Sequence, residues 1–332
     1  MRPFFIRSFS LLLLFVAIAN VAVANPDKNT IKALQGYRPL VPIRSEGIEG
    51  LVSQAIRRTI DSYAGQGLTE NDIAATVIDL SDPSNPKFGS FRGEDRIYPA
   101  SVVKMLYMIV LERMIENDKV VPTREMERAQ HDMIVDSSNE ATQYVVDLLT
   151  GTSSGPELSD KEFRKWSYKR NAMNRFFSAL GYSNINVNQK THCEDAYGIE
   201  QQFRNYKGEN RNMLTTFATA RALMEIVLGR TNTERRTQKM MTLLKRNAFA
   251  ETPDQDDQGR GFSGIALRER GMRDAVLYSK AGWTSKSRHD AAYIETADGR
   301  KLVIVVYTEN FANERGIIPS IVGYILDNTK KV

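Results

Sequence analysis

Residues 98–112 read YPASVVKMLYMIVLE, with a serine at 101 and a lysine at 104 heading a run whose residues 105–111 leave no polar face. On a helix starting near Pro99, Ser101 and Lys104 stand one turn apart on the same face. A helix that is apolar all round is buried, and burial favours the neutral form of a lysine. The stretch therefore sets a base beside a nucleophile, at a helix N-terminus whose free N–H groups favour developing negative charge. Taken alone, the same letters also describe an N-cap serine and a lysine that snorkels to solvent, so the flanking chain decides.

Before this stretch, Ile48, Leu51, Val52, Ile56, Ile60 and Tyr63 recur at helical spacing, with Gly65 and Gly67 as a stop. Residues 73–82 (IAATVIDLSD) then have strand composition, and the turn DPSNP leads to residues 87–99 as the hairpin partner. After it, helical patterns cover 101–115, 123–134, 140–149, 161–180, 215–228 and 233–244. Past the loop ETPDQDDQGRGFSG (251–264), strands return at 275–282 and across 290–310, and a helix near 317–328 closes the chain. Strands at both ends with helices between them predict an α/β (α+β) fold. An antiparallel sheet is built from the N- and C-terminal segments (45–98 and 262–332) with flanking helices, and an all-helical subdomain (99–261) is inserted.

Arg2 and Arg7 precede an apolar run ending in Ala22, Val23 and Ala24, the pattern of a secretory signal peptide over 1–24, cleaved near Ala24. The run is shorter than the ~20 residues a spanning helix needs, so no membrane anchor is expected after cleavage. The expected location is the periplasm, with secretion as the alternative. Cleavage leaves 308 of the 332 residues, read as a single catalytic domain and a monomer. Cys193 is the one cysteine, so no intramolecular disulfide forms. The 45 basic and 40 acidic residues are spread along the chain without a basic block, which argues against nucleic acid. His192, Cys193, Glu194 and Asp195 are adjacent, but three histidines and no spaced partner pair make a polar loop, not a metal site; neither metal nor cofactor is expected.

Two further segments bear on Ser101. In MIVDSSNEATQYVVDLL (133–149), Ser137 and Asn139 precede a second buried-looking helix. The hydroxyl of Ser137 suits proton relay between a lysine and a leaving nitrogen, and the amide of Asn139 suits holding a substrate carbonyl, although alone the cluster reads as a helix cap. In YSKAGWTSKSRHDAAYIE (278–295), Lys280 ends a strand, where it would attract a carboxylate, and Gly282 permits close backbone approach. The N–H of Trp283 would join that of Ser101 as an oxyanion pair.

Ser-x-x-Lys opening a buried helix, Ser-x-Asn between helices, then Lys-x-Gly on a late strand resembles the active-site serine superfamily of penicillin-binding proteins and serine β-lactamases. With YPASVVK, SSNEAT, TTFATARALMEIVLG (215–229) and KLVIVVYTEN (301–310), the chain looks most like a class A β-lactamase from residue 48 to the end. The resemblance implies Ser101 as acylated nucleophile, Lys104 as activating amine, Ser137 as relay and Asn139 as contact to the substrate amide. Lys280 and Gly282 become the wall that reads the substrate carboxylate. Three departures stand out. Ala281 replaces the family's threonine, with Thr284 or Ser285 as partial substitutes. Ser101 and Ser137 are only 36 positions apart, which implies a more open cleft. The Glu-x-x-Leu-Asn pattern of the deacylating glutamate is missing; Glu194 and Glu200 fall in the right region, and spacing does not choose between them. The implied activity is an exported serine hydrolase that opens β-lactam amides through a Ser101 acyl-enzyme. The alternative is a DD-peptidase acting on peptidoglycan stem peptides, and a binding protein without turnover is a third reading.

Overall fold

The computed structural model describes residues 30–193 and 195–329. The expected signal peptide and Glu194 lie outside the described residues. Seven strands form one sheet among the described residues: β1 (Ile43–Arg44), β2 (Ile73–Asp79), β3 (Lys87–Phe91), β4 (Lys245–Arg246), β5 (Val276–Trp283), β6 (Arg288–Glu295) and β7 (Lys301–Thr308), in the order β1-β3-β2-β7-β6-β5-β4. All neighbours are antiparallel except β1 and β3. The C-terminal strand β7 lies at the centre, paired with β2 on one side and β6 on the other, so both ends of the chain are needed to close the sheet.

Helices cover both faces, and the strand period of two allots residues to them. On β7, Val303, Val305 and Tyr307 face a core shared with the helical block, whereas Leu302, Ile304 and Val306 face a second core under α1 (Glu46–Ser62), the short α10 (Ser263–Glu269) and α11 (Ile317–Asn328). The first core is organised by α2 (Val103–Glu116), of which residues 103–115 are all buried. Each large apolar side chain there contributes about 1.5–3 kcal/mol through burial, which fixes the axis carrying Ser101 and Lys104. Around α2 stand α3 (Arg124–Ile134), α4 (Asn139–Thr150), α6 (Ala172–Ala179), α8 (Thr216–Val227) and α9 (Glu234–Leu244), while α5 (Asp160–Arg170) and α7 (Ile199–Arg204) pack on each other through a small separate cluster of Phe163, Ile199 and Phe203.

The chain departs from its sequence reading in five places, the first being strand β1, which lies before the segment read as the N-terminal part of the sheet. The helix expected over 161–180 is two helices broken at Asn171, whose side chain donates to Ser167 O and accepts from Asn174 and Asn188. The short helix α7 stands where no element was expected. Strand β4 arises within the segment assigned to helices, and α10 begins at the end of what reads as a loop.

Candidate active site

Ser101 lies in a single 3-10 turn, Ala100–Val102, that leads into α2. It does not cap the helix, since neither the turn nor α2 has a side-chain cap, and its hydroxyl has no hydrogen-bond partner among the described residues. Ala100, just before it, is held at φ +47°, a conformation that costs an L-residue energy and that the surrounding packing must impose. The packing comes from β5. A Cβ on Gly282 would sit 2.7 Å from Ser101 N and 2.8 Å from Val102 N, so only glycine lets the strand come this close to the turn. The backbone that Gly282 admits is thus the chain's own, and Trp283 follows it at the strand end with its ring 5.6 Å from Phe262.

Lys104 does not snorkel; it is fully buried. Its Nζ donates to Ser137 O (2.5 Å) and Asn139 Oδ1 (2.9 Å), with longer contacts to Ser137 Oγ and Ser138 O (3.4 Å each). Burial pulls the ammonium down to about 7, against weak opposing pulls from Cys193 and Glu140. An amine at that value is a base near neutrality.

The capping cluster ahead of α4 divides its labour. Ser138 caps the helix, accepting from Ala141 N (3.1 Å). Ser137, at φ +57°, and Asn139 are thereby free to face Lys104. Lys280 Nζ donates to Ser137 Oγ at 3.0 Å, so this hydroxyl sits between two lysine amines. Lys280 is itself fully buried; burial first, then the charges of Lys104 and Arg246, hold it well below the ordinary lysine range. Its other hydrogen bonds go to Gln258 Oε1 (2.6 Å) and Ala281 O (2.8 Å). The lysine expected on the wall of the cleft thus points inward to Ser137. Ala281 packs into the second core.

Gln258 is the residue that sequence reasoning missed. Its Oε1 accepts from Lys280 and from Ala281 N (3.2 Å), and its Nε2 donates to Val135 O (2.6 Å) and Ile134 O (3.2 Å). One amide therefore ties β5 to the segment that carries Ser137.

A cleft of about 680 Å³ is lined by Tyr98, Asn139, His192, Cys193, Arg211 and Trp283, by the β5–β6 turn and by Glu309 and Asn310, so of these groups Asn139 and Trp283 border it. Asn139 Nδ2 donates to Cys193 Sγ (3.4 Å). Thr284 borders the cleft, but its hydroxyl accepts from Lys286 N and Ser287 N (3.1 Å each) and holds the turn. Glu200 is elsewhere. It is 1% exposed, with Arg170 clamping both oxygens at 2.7 Å, Ser154 at 3.0 Å and Lys190 at 3.4 Å. Burial pushes its carboxyl up, but Arg170, Lys190 and Ser154 outweigh this and hold it below the usual range. Among the described residues, one group has metal-ligand spacing: His131, Asp132 and Asp136, each offering an atom within 4.8 Å of the others, at the surface end of α3.

The model of the Beta-lactamase enzyme family matches residues 52–323, which spans all of these groups. The chain belongs to the beta-lactamase enzyme family. A search of curated proteins finds no match. Among solved structures, a beta-lactamase from Sphaerobacter thermophilus superposes with a TM-score of 0.60 at 19% identity, covering 82% of this chain and 96% of that one. A PBP-A variant, solved as its acyl-enzyme with penicillin G, gives 0.58 at 14%, covering 87% and 98%. A variant of an ancestral class A beta-lactamase of Gram-negative bacteria gives 0.56 at 15%, covering 85% and 97%. These likenesses establish the fold of the serine β-lactamase and penicillin-binding protein superfamily, and family membership establishes a β-lactamase-like hydrolase.

Proposed function

We propose that this family member is an exported serine hydrolase of the class A type, opening β-lactam amides through an acyl-enzyme on Ser101. The observation that carries the reading is the Ser137 hydroxyl held between two charge-depressed amines, Lys104 and Lys280, beside the Ser101 turn. Lys104 takes the proton of Ser101, Ser101 Oγ attacks the β-lactam carbonyl, and the N–H groups of Ser101 and Trp283 hold the oxyanion. Ser137 passes a proton to the leaving nitrogen, and Lys280 orients Ser137 through the 3.0 Å hydrogen bond. Asn139 serves the substrate amide. Export to the periplasm rests on residues 1–24 of the sequence.

A second reading, a DD-peptidase acting on peptidoglycan stem peptides, draws support from Glu200. A carboxylate clamped by Arg170 in a buried ion network is unsuited to activating water in the cleft, which leaves Glu194, outside the described residues, as the other candidate for deacylation; without it the acyl group would leave slowly. The test is labelling with a fluorescent penicillin. The wild type should be labelled and Ser101→Ala should not; equal labelling of both would reject the nucleophile. Cleavage of a peptide ending in D-Ala-D-Ala, together with a long-lived label, would select the second reading.

A further inference from the structure

We infer that His289 is a positioning residue for the nucleophile: it holds the carbonyl of Tyr98 and so fixes the strained turn that carries Ser101. The inference rests on the acylation of Ser101 proposed above. His289 lies on β6 directly opposite Gly282 of β5, and both strands pack against the Ala100–Val102 turn. Its side chain is fully buried. Thr308 N meets Nδ1 at 3.1 Å, and Nε2 meets Tyr98 O at 3.0 Å. A backbone N–H can only donate and a carbonyl can only accept, so the partners fix the tautomer: Nδ1 accepts, while Nε2 carries the proton and donates. Burial pulls the ring down to about 4, which keeps it neutral where Lys104 acts as a base. The Tyr307 ring, with its centroid 4.4 Å away, packs against the imidazole.

The donor of this ring is directed at the chain just ahead of the nucleophile. Ile97 is paired with Leu214 through both of its backbone groups (2.9 Å each), Tyr98 O accepts from His289, and Val102 N closes the turn onto Pro99 O (3.1 Å). Pro99 has no N–H with which to tie the segment down. Within the turn stands Ala100 at φ +47°, a conformation that persists only when the structure on both sides imposes it. On the C-terminal side, Gly282 and the buried helix α2 impose it. On the N-terminal side, His289 links Tyr98 to the end of β7 through Thr308. Without that link Ala100 can relax and carry with it the hydroxyl and N–H of Ser101, the attacking atom and an oxyanion donor. A displacement of about 1 Å in such a pair costs rate rather than binding.

The test separates the two ring nitrogens. In His289→Gln the amide reaches where Nε2 stands and can still donate to Tyr98 O. In His289→Asn the shorter amide reaches only where Nδ1 stands and can still accept from Thr308 N. His289→Phe keeps the ring and makes neither bond. The readouts are the limiting rate at which benzylpenicillin acylates the mature protein, its dissociation constant before acylation, and the midpoint of thermal unfolding. The limiting rate should fall about tenfold in His289→Asn and His289→Phe, the size of one hydrogen bond, while the dissociation constant stays within about twofold. His289→Gln should recover most of the rate, whatever its midpoint. Equal losses of rate in His289→Gln and His289→Asn, in step with their losses of midpoint, would make His289 a core residue alone and overturn the inference, as would a wild-type rate in His289→Phe. If His289→Phe does not fold, the comparison of His289→Gln with His289→Asn decides. If benzylpenicillin does not acylate the wild type, the proposed function fails, and this inference with it.

Discussion

Lys104 is where the chemistry is set at the scale of a residue. Its amine, brought to about 7 by burial, should impose a base-limited profile on acylation, with the rate rising as pH passes upward through about 7 and then levelling. The same shift carries a stability signature. Folded Lys104 has already lost its proton over a range in which the unfolded chain, titrating near 10.4, still holds it. Stability therefore increases with pH between about 7 and 10, and is lowest below 7, where the buried amine must be charged. Denaturant unfolding of wild type and Lys104→Met at pH 7, 8 and 9 measures this. The wild type should gain on the variant as pH rises; a constant difference would contradict the assigned burial effect.

Glu200 has the opposite character. Glu200→Gln should destabilise by roughly 3 kcal/mol, because Arg170 loses its buried counter-charge, yet leave the lifetime of a penicilloyl adduct unaltered. An adduct that becomes much longer-lived in this variant would make Glu200 the deacylating base after all. At this scale the burial of Lys104 was legible, because an apolar run around it forces the lysine inside, while Ser101 at the head of the run stays half-buried. The role of Glu200 was not, because its partners Arg170, Lys190 and Ser154 are distant in sequence.

At the scale of elements, the site is an alignment of three pieces: the turn before α2, the segment before α4 and strand β5. Gln258 fastens the last two, and it comes from the loop before α10. Gln258→Ala should lower the acylation rate about tenfold, the value of a hydrogen bond lost at a positioned group, and Gln258→Asn should not rescue it because the shorter amide cannot span both partners. A rate within twofold of wild type would remove Gln258 from the machinery. Nothing in the sequence marked this residue, since a single amide in a polar loop has no period. The same loop hid α10: Gly264 reads as a breaker, but it packs where a Cβ would lie 1.8 Å from Gly259 O. The break at Asn171 was equally silent, because it is made by asparagine hydrogen bonds across α6 rather than by proline or glycine.

At the scale of the whole molecule, the sheet is closed by the two ends of the chain, and each of its faces supports a different layer. That much followed from strand composition at both ends and helical spacing between them. The hydrophobic layering of β7, odd residues to one core and even residues to the other, is the same pattern made three-dimensional. The first core holds α2, and with it Ser101 and Lys104, against β5, which carries Lys280; fold and site are therefore one construction. The most direct test of that claim is a time course of intact mass after mixing the mature protein with benzylpenicillin, with Ser101→Ala alongside. A single penicilloyl increment on the wild type and none on Ser101→Ala is the predicted result, and its decay or persistence separates hydrolysis from a stable acyl-enzyme. No increment on the wild type while penicillin remains intact, or the same increment on Ser101→Ala, would contradict the account.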